Sequence, residues 1–510
     1  MAYKRDYFTN VIRLYAGMNI NDTPDKVSEK GQAEYILNCY STPENAIARL
    51  FGRSKHNSVT VGIAAEITGI YELKIETPAF FCIAEAKFYK DSAGTWGDKT
   101  GAISITDNKN NLWQFSKFSD VLIGTGLSRN AAIEHDGGAG NLANVSNMPA
   151  VKFNVPFKNR IMAYNTAAQP KLGYWCAIND RTSWDTANNY LNFKGSEADD
   201  EDISGASGHL DNIIVGKRTS IYRQYHTGTE PPFKYYKIDN IGVSANFTMQ
   251  SIPAAGIYPA RLIWMGYDNF YQLIGDSVSA IGDDIKPFFS EGAPFQINLS
   301  RLEYCVSGVI KEKNLYLCSF SSGSSETHDK CFVLDYKNMM WAICDFPINS
   351  FGLRTISGRE FLYSGTYTGF VCKHDPAVYN NLGSAYTSIY ISSWIDFGDT
   401  QKEKKVRYLI ALMQAVGDFD LQVEYRTNLV SDWVNLGYFN SSPGGALLGI
   451  DWTLGTSKLG GADLTESILE VLKRFKRIKL RFTQATLNQY FRLYALGIMY
   501  QGMPGYRIGA

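Results

Sequence analysis

The chain has 510 residues, of which 45% are hydrophobic and 20% are charged. This length predicts two or three domains, and this composition excludes disordered and fibrous proteins. Fifty basic residues balance fifty acidic residues, which argues against a protein that grips duplex DNA tightly through its phosphates.

The sequence contains no run of 18 apolar residues, and no apolar segment follows the basic residues near its start. We therefore expect neither a membrane-spanning helix nor a signal peptide. The expected place of synthesis is a cytosol.

Aromatic residues make up 14% of the chain, with 32 Tyr and 28 Phe, and there are 45 Gly. Aromatic side chains favour strands and glycines favour turns. Few segments repeat apolar residues at the helical period of 3.6. The sequence therefore predicts an all-β protein.

Residues 1–60 show little hydrophobic period, apart from residues 31–40, which could form a short helix. A segment without a period of its own has no face to bury by itself. We predict an N-terminal arm that packs on or closes a larger domain.

Residues 61–380 repeat the pattern of strand, turn and strand. In one example the turn is Gly266-Tyr-Asp-Asn269, between an apolar strand at 262–265 and a return strand at 270–274. Similar hairpins recur at residues 213–222, 308–317 and 361–371, with looser copies at 121–126 and 157–164. An interval of about 50 residues is typical of a β-propeller. The six hairpins predict about six blades, and a long β-sandwich is the alternative.

Residues 181–209 interrupt this rhythm and predict a loop insertion on one face of the propeller. The segment contains Trp184, Gly205, Gly208 and an acidic run from Glu197 to Asp202. The acidic run could hold a divalent cation, although blocks of like charge usually stay solvated.

Residues 381–510 alternate apolar and polar residues more strictly, which predicts a separate C-terminal β-sandwich. Residues 462–475 could instead begin as a short helix. One strand has an apolar face and a basic face, formed by Ile478, Leu480 and Phe482 and by Arg477, Lys479 and Arg481. The basic face is a candidate channel lining or contact between subunits, and a solvated strand face is the alternative.

The chain shows no catalytic motif. His135, His328 and His374 each adjoin a carboxylate, but neighbouring residues of a strand point to opposite faces and do not build a triad. We interpret these dipeptides as surface turns. We predict no catalytic residue, no metal, no cofactor and no enzymatic activity.

The eight cysteines lack the close pairs of a metal cage, which predicts buried, free thiols. Four of them recur at a constant interval, which indicates successive strands of a meander: Cys305, Cys318, Cys331 and Cys344.

Several short motifs resemble those of the tail hub or nozzle proteins of short-tailed bacteriophages, also called packaged-DNA stabilisation proteins. They are Gly17-Met-Asn19, Asn38, Arg49-Leu-Phe-Gly-Arg53, Ser183-Trp-Asp185, Ile214 to Tyr222, Ile241-Gly-Val-Ser-Ala245, Trp264 to Tyr271 and Ile281-Gly282. The basic strand and the aromatic-rich C-terminus also match. The arm departs from the R-x-G spacing of that family, because Arg49 and Gly52 are three positions apart.

The resemblance implies a structural virion protein, made in the host cytoplasm and placed in the phage tail. Such proteins form a ring, usually of six copies, below the portal and adaptor. The ring retains packaged DNA and conducts it during ejection, with a propeller in each copy beside or around the channel. The implied partners are other copies, adaptor or portal-side proteins, other tail or fibre proteins and double-stranded DNA.

Two other functions fit the sequence. The sandwich could bind a receptor or a glycan, with Trp433 or Trp452 stacked on a sugar. A propeller-type polysaccharide depolymerase is the third function, although no pair of acids requires it.

Overall fold

The structure is a computed structural model that describes residues 8–106, 108–194, 200–290, 292, 295–399, 401–442 and 464–502. The chain forms two compact units. Unit 1 comprises Met1–Gly52, Val333–Asp345 and Pro376–Ala510, and unit 2 comprises Arg53–Phe332 and Phe346–Asp375. Acidic loop residues Glu197 and Asp199, and also Trp452, lie outside the described residues.

Short strands make up most of the described chain. In chain order the first elements are β1 (Phe8–Ile12), α1 (Pro24–Glu29), β2 (Ala33–Leu37), β3 (Cys39–Ser41), β4 (Ile47–Arg49), β5 (Arg53–Lys55), β6 (Ile67–Leu73), β7 (Ala79–Ala84), β8 (Lys87–Ser92), β9 (Thr95–Asp98), β10 (Trp113–Phe118), β11 (Val121–Gly126), β12 (Ile133–His135) and β13 (Ala143–Asn144). The next are β14 (Val151–Phe157), β15 (Arg160–Thr166), β16 (Leu172–Ala177), β17 (Asp180–Trp184), β18 (Tyr190–Asn192), β19 (Ile203–His209), β20 (Asn212–Lys217), β21 (Ile221–His226), β22 (Phe233–Asp239), β23 (Gln250–Ile252), β24 (Arg261–Met265), β25 (Phe270–Ile274) and β26 (Ser277–Ala280).

The remaining strands are β27 (Val306–Ile310), β28 (Leu315–Phe320), β29 (Lys330–Asp335), β30 (Met340–Cys344), β31 (Ser350–Ile356), β32 (Arg359–Gly365), β33 (Val371–His374), β34 (Ser388–Ser392), β35 (Lys404–Gln414), β36 (Asp420–Thr427), β37 (Val430–Asn440), β38 (Leu464–Phe475), β39 (Ile478–Gln484) and β40 (Arg492–Gly502). Short 3-10 helices span Asn246–Thr248, Asp283–Phe289, Leu299–Tyr304 and Lys311–Lys313.

Unit 2 is a β-propeller. Consecutive strands form antiparallel sheets β6–β9, β10–β13, β14–β17, β19–β22 and β23–β26, with β18 added beside β16. The first strands of successive sheets, β6, β10, β14, β19, β23, β27 and β31, contact one another in order, and β31 contacts β6. A closed circle of meanders with the first strand innermost is the propeller arrangement.

The propeller has more blades than the six that the hairpins predict. The described strands form eight sheets, and seven inner strands complete the circle. The hairpin spacing predicts too few blades because the hairpins that were compared join different pairs of strands within their blades. The 263–271 hairpin joins the second and third strands of its blade, whereas the 308–317 hairpin joins the first and second.

The last blade is completed by a strand from the other end of unit 2. Strands β31, β32 and β33 form a meander, and β5 adds antiparallel to β33, with Arg53 opposite His374. The chain therefore enters the propeller through the outer strand of the blade in which it ends. This strand exchange ties the first blade to the last one.

Residues 181–209 contain strands where the sequence predicted a loop insertion. They include the end of β17, all of β18 and the inner strand β19. The small residues of β19 resemble a loop, but neighbouring blades crowd an inner strand. A Cβ at Gly205 would lie 3.0 Å from Met249 Sδ and 3.1 Å from Asn246 Cα.

A second close approach occurs at Gly242, which follows β22. A Cβ there would lie 1.7 Å from the carbonyl oxygen of Arg218. We expect Gly242→Ala to lower the free energy of unfolding by about 1–3 kcal/mol, because backbone cannot give way as a side-chain end does. Thermal unfolding followed by circular dichroism measures the loss. Gly140→Ala is the control, since an added Cβ there meets nothing within 4 Å, and equal stability of the two variants would contradict this prediction.

Unit 1 is a β-sandwich built from distant parts of the chain. One sheet has the order β3–β4–β40–β35–β38, with β1 also paired to β40. The other contains β30, β2, β34, β39, β36 and β37. The sandwich predicted at residues 381–510 thus also includes strands from residues 8–49 and 340–344. Partners this far apart leave no local signal in the sequence.

Two segments that could have formed helices are strands. Residues 33–41 form β2 and β3, and residues 464–475 form β38. In β38 the apolar residues Leu464, Ile468 and Leu472 recur every four positions. That spacing fits one face of a strand as well as one face of a helix, so periodicity does not separate the two.

Candidate functional site

The inner strands of unit 2 enclose an axial cavity of about 490 Å³. Its walls come from β6, β10, β19, β23, β27 and β31 and from the 3-10 helix that precedes β23. The volume lies within the range of ordinary ligand pockets, about 300–1,000 Å³. The cavity is the best candidate site in unit 2.

Polar groups in the wall hydrogen-bond between blades, both across the axis, from Asn246 to β10, and between neighbouring blades. Asn246 Nδ2 donates to Gln114 Oε1 at 3.1 Å, and Asn246 Oδ1 accepts from the Ala206 N–H at 2.8 Å. Gln250 Nε2 donates to the Ser307 carbonyl at 3.2 Å, and Ser307 Oγ donates to the Phe247 carbonyl at 2.8 Å. These groups stabilise the packing of the blades around the cavity.

Charged groups in the wall also have partners. Glu72 Oε2 accepts from the Thr355 N–H at 2.8 Å. Lys117 Nζ lies 3.2 Å from Asp120 Oδ1, and Lys74 Nζ lies 3.6 Å from Glu360 Oε2. The wall therefore has no strong excess of either sign at these positions.

The cavity is too narrow for duplex DNA. Inner strands of about six residues are about 20 Å long, so a channel only as wide as one major groove, about 12 Å, would need roughly 2,000 Å³ along them. The cavity of about 490 Å³ is several times smaller. Any duplex that passes this protein runs outside the propeller axis.

The basic strand predicted as a candidate site is β39, with its flanking residue Arg477, in unit 1. Lys479 is buried, and its Nζ contacts Glu34 Oε2 and lies 4.6 Å from the centre of the Trp394 ring. Arg481 binds Glu424 through two hydrogen bonds of 2.5 and 2.6 Å. Arg477 lies 3.2 Å from Asp25 Oδ1. Carboxylates of unit 1 thus compensate all three cations.

The predicted alternation of this strand is confirmed. Ile478, Leu480 and Phe482 are buried in unit 1, while Arg481 remains partly exposed on the opposite face. The pattern of period two was sufficient to assign the apolar face. The carboxylates that neutralise the basic face come from β2, β36 and α1. The sequence of β39 itself does not predict these partners.

The sequence suggested that the histidines beside carboxylates lie in surface turns, and this interpretation is wrong. His135, His328 and His374 are all buried. His135 Nε2 lies 3.1 Å from the Gly140 carbonyl, His328 Nδ1 lies 2.9 Å from the Ile348 carbonyl, and His374 Nε2 lies 3.1 Å from Ser364 Oγ. Burial lowers the pKa of each ring, to about 4 for His328. These rings are neutral structural groups at physiological pH.

The described part of the acidic run is engaged by neighbours. Asp200 lies 2.7 Å from Lys171 Nζ, and Glu201 Oε2 accepts hydrogen bonds from the N–H and hydroxyl of Thr219. Across the described residues, no group of three or more His, Cys, Asp or Glu side chains has the arrangement of a metal site.

All eight cysteines are buried free thiols, as the sequence predicted. Cys318, Cys331 and Cys344 lie in β28, β29 and β30, and Cys305 directly precedes β27. The constant interval therefore corresponds to one thiol in or beside each successive strand. The prediction of successive strands of a meander is confirmed.

Motif residues of the N-terminal arm hold unit 1 together. Arg49 is buried and donates to the carbonyls of Thr486, Gln489 and Tyr386 at 2.8, 2.5 and 2.5 Å. Asn38 adopts a positive φ of 52° and donates to Asp345 Oδ1 at 2.7 Å.

Two motif glycines in the same arm are required by geometry. Gly17 has a φ of 81°, in the left-handed region. A Cβ at Gly52 would lie 1.8 Å from the Asn380 carbonyl oxygen. The motif thus marks positions where the arm is built into the sandwich.

The fold defines this protein as a β-propeller joined to a β-sandwich. The sequence matches no protein-family model and no curated protein. None of the described helices is long and apolar enough to span a membrane.

Solved structures with some similarity share about a tenth of their residues with this chain. The extracellular domain of a hybrid two-component system protein from B. thetaiotaomicron has a TM-score of 0.42 at 10% identity, over 70% of this chain and 42% of that chain. This chain thus spans less than half of that protein. The N-terminal domain of Nup159 has a TM-score of 0.39 at 11% identity, over 63% and 95% of the two chains. YCF48 from Cyanidioschyzon merolae has a TM-score of 0.38 at 9% identity, over 64% and 99%.

Proposed function

We propose that this protein is a structural component of a phage tail, a hub or nozzle that forms a ring below the portal and adaptor. The ring retains packaged DNA and conducts it during ejection. The observation that carries the proposal concerns the residues that resemble the nozzle family. Gly17, Asn38, Arg49 and Gly52 are the constrained positions that build the arm into unit 1.

The dimensions of the axial cavity refine this proposal. A duplex does not fit a cavity of about 490 Å³ that runs along strands of about 20 Å. The propellers therefore flank the DNA channel, and the channel lies between copies. A ring of six copies is the number that the family resemblance implies.

Charge supports a conducting rather than a gripping role. The chain has fifty basic and fifty acidic residues, and Arg477, Lys479 and Arg481 are paired with carboxylates. Binding to DNA strengthens with each phosphate that a free cation neutralises. A surface of compensated charges lets DNA slide.

One observation favours a second function, receptor or glycan binding by unit 1. Arg481 stacks 4.7 Å from the centre of the Trp433 ring and binds Glu424 on the same sheet face. Tyr438, across the strand pair from Gln422, is 53% exposed. The exposed Tyr438 ring and the partly exposed Trp433 ring, beside planar polar groups, suit the apolar face and the hydroxyls of a sugar.

Particles assembled with and without this chain separate the two functions. We expect particles that lack the chain to fill with DNA and then lose it, measured as DNA accessible to nuclease. Particles that keep their DNA but fail to adsorb to cells would favour the receptor function, and would contradict the proposed retention.

A further inference from the structure

The outer face of one sheet of unit 1 is apolar where a solvated sheet is polar. This face belongs to β38, β35, β40 and β1, and we call it the outer sheet face. The opposite, inner face is buried through Leu409, Ala411, Met413, Leu496 and Ile498. Sheets with one face on a core usually carry polar residues on the other. This sheet therefore has two apolar faces but only one buried face.

Strand register places the apolar residues of the outer sheet face side by side. Ile410 of β35 pairs with Ile468 of β38 and with Gly497 of β40, and Gly497 pairs with Val11 of β1. Ile468 is 57% exposed and Val11 is 63% exposed. One row of the sheet thus presents apolar groups to solvent across four strands.

The neighbouring rows extend this patch. Leu412 pairs with Ala495, and Tyr408 pairs with Met499. Each residue stands two positions from Ile410 or Gly497 and so shares their side of the sheet. Contiguous apolar patches of several hundred Å² on a protein surface mark interaction sites.

The charges at the edge of the outer sheet face are separated into an acidic part and a basic end. Glu466 and Glu470 pair with Leu412 and Tyr408 and lie on the outer side of β38. Beyond a bulge the same two strands pair Arg474 with Lys405. In the part of the chain that the structure describes, none of these four side chains forms a salt bridge. Glu466 and Arg474 are eight positions apart, or about 26 Å along the strand.

We propose that the outer sheet face binds the same face of a second copy of this chain, with the strands of the two copies running in opposite directions. That orientation brings the acidic part of one copy against the basic end of the other. A like-charged partner would not gain this pairing, and a lipid surface would not match both signs. The same face of a second copy supplies both the acidic part and the basic end.

The size of the face suits this partner. Three strands of about 11 residues and one of about five give roughly 600 Å² of sheet. A standard interface buries about 800 Å² on each partner. Contacts from the flanking charged residues supply the rest. The contact is isologous and closes on itself, so it is separate from the cyclic contacts of the proposed ring.

The test is the solution mass of the purified full chain over a wide concentration range, by analytical ultracentrifugation. We expect a dimer for the wild type. Ile468→Glu places a carboxylate at the centre of the contact and is expected to raise the dissociation constant at least tenfold. Leu429→Glu is the matched control, because Leu429 is 69% exposed in unit 1 but lies outside this sheet, and its dimer should persist.

A charge exchange tests the orientation. Glu466→Arg should weaken the dimer, and adding Arg474→Glu in the same chain should restore it, because both ends are then reversed. A monomeric wild type, an unchanged dimer in Ile468→Glu, or failure of the double variant to recover would overturn the proposal. Because the pairing is separate from the ring contacts, Ile468→Glu should still form the ring, and wild-type rings that never pair through this face would overturn the pairing while the proposed function stands. Dimers that form through this face without any ring would support the pairing and contradict the proposed function.

Discussion

Arg49→Met is expected to lower the free energy of unfolding by about 3–5 kcal/mol, because it leaves three buried carbonyl oxygens without their donor. The Arg49 guanidinium donates to three buried carbonyls, those of Thr486, Gln489 and Tyr386. It also lies 4.2 Å from the centre of the Tyr386 ring. Methionine fills part of the volume but leaves the carbonyls without donors, at a cost of about 1–3 kcal/mol each.

Urea unfolding followed by fluorescence measures this loss. Arg49→Lys is the informative control, because lysine keeps the charge but presents a compact ammonium in place of the planar fork. We expect it to fall between the wild type and Arg49→Met. If Arg49→Met unfolds at the same urea concentration as the wild type, Arg49 does not fasten the arm to the sandwich.

Asp91→Asn is expected to cost about 3 kcal/mol by opening a buried ion cluster in the propeller. Asp91 Oδ2 lies 3.0 Å from His56 Nε2 and 3.1 Å from Arg354 Nη1, and the carboxylate side chain is 2% exposed. His56 directly follows the closing strand β5, Asp91 lies in β8, and Arg354 lies in β31. The cluster therefore joins the closing segment to the first and last blades.

The Asp91 cluster also predicts a dependence on pH. Burial acts to raise the pKa of the Asp91 carboxyl, but hydrogen bonds from His56 and the Gly94 N–H, with Arg354 nearby, lower it below the ordinary value. A carboxyl with a lowered folded pKa stabilises the fold above its unfolded pKa of about 3.9, and this stability is lost as pH falls through the folded pKa.

Thermal unfolding of the wild type and of Asp91→Asn between about pH 5 and about pH 3 measures this term. We expect the difference between the two proteins to shrink as the pH falls. Asp136→Asn, at a side chain that is 75% exposed, is the control and should leave the stability at neutral pH close to that of the wild type. A constant difference at every pH would mean that the Asp91 charge does not act as described.

The sequence was informative wherever a signal is local. The alternation of Ile478, Leu480 and Phe482 predicted a buried face, and the turn at Gly266 predicted the hairpin of β24 and β25. The constant interval from Cys305 to Cys344 predicted successive strands. Each of these patterns repeats within a few residues and needs no distant partner.

Features that depend on distant partners were missed or incomplete. β2 lies in a sheet with β34, more than 300 residues later, and nothing in residues 33–37 indicates that partner. The loop predicted at residues 181–209 failed because Gly205 and Gly208 look like turn residues, whereas in β19 they lie in an inner strand. The inner strands carry glycines where side chains of the next blade approach closely, as at Gly69, Gly308 and Gly352. This pattern of small residues is the sequence signal that could have indicated the cavity.

The chemistry of single side chains was predicted less well than the strands. His135, His328 and His374 looked exposed because Asp and turn residues adjoin them, yet burial in the propeller decides their state. The basic strand looked like an open cationic surface. Glu34 and Glu424, from other strands, neutralise it.

Cryo-electron microscopy of the assembled ring with duplex DNA in place tests the proposed function most directly. We predict that copies of the propeller surround an opening wide enough for a duplex, and that the DNA runs through this opening and not through any propeller axis. A chain that remains free of any ring beside its neighbouring tail proteins, or density for DNA within the propeller axis, would contradict a nozzle role.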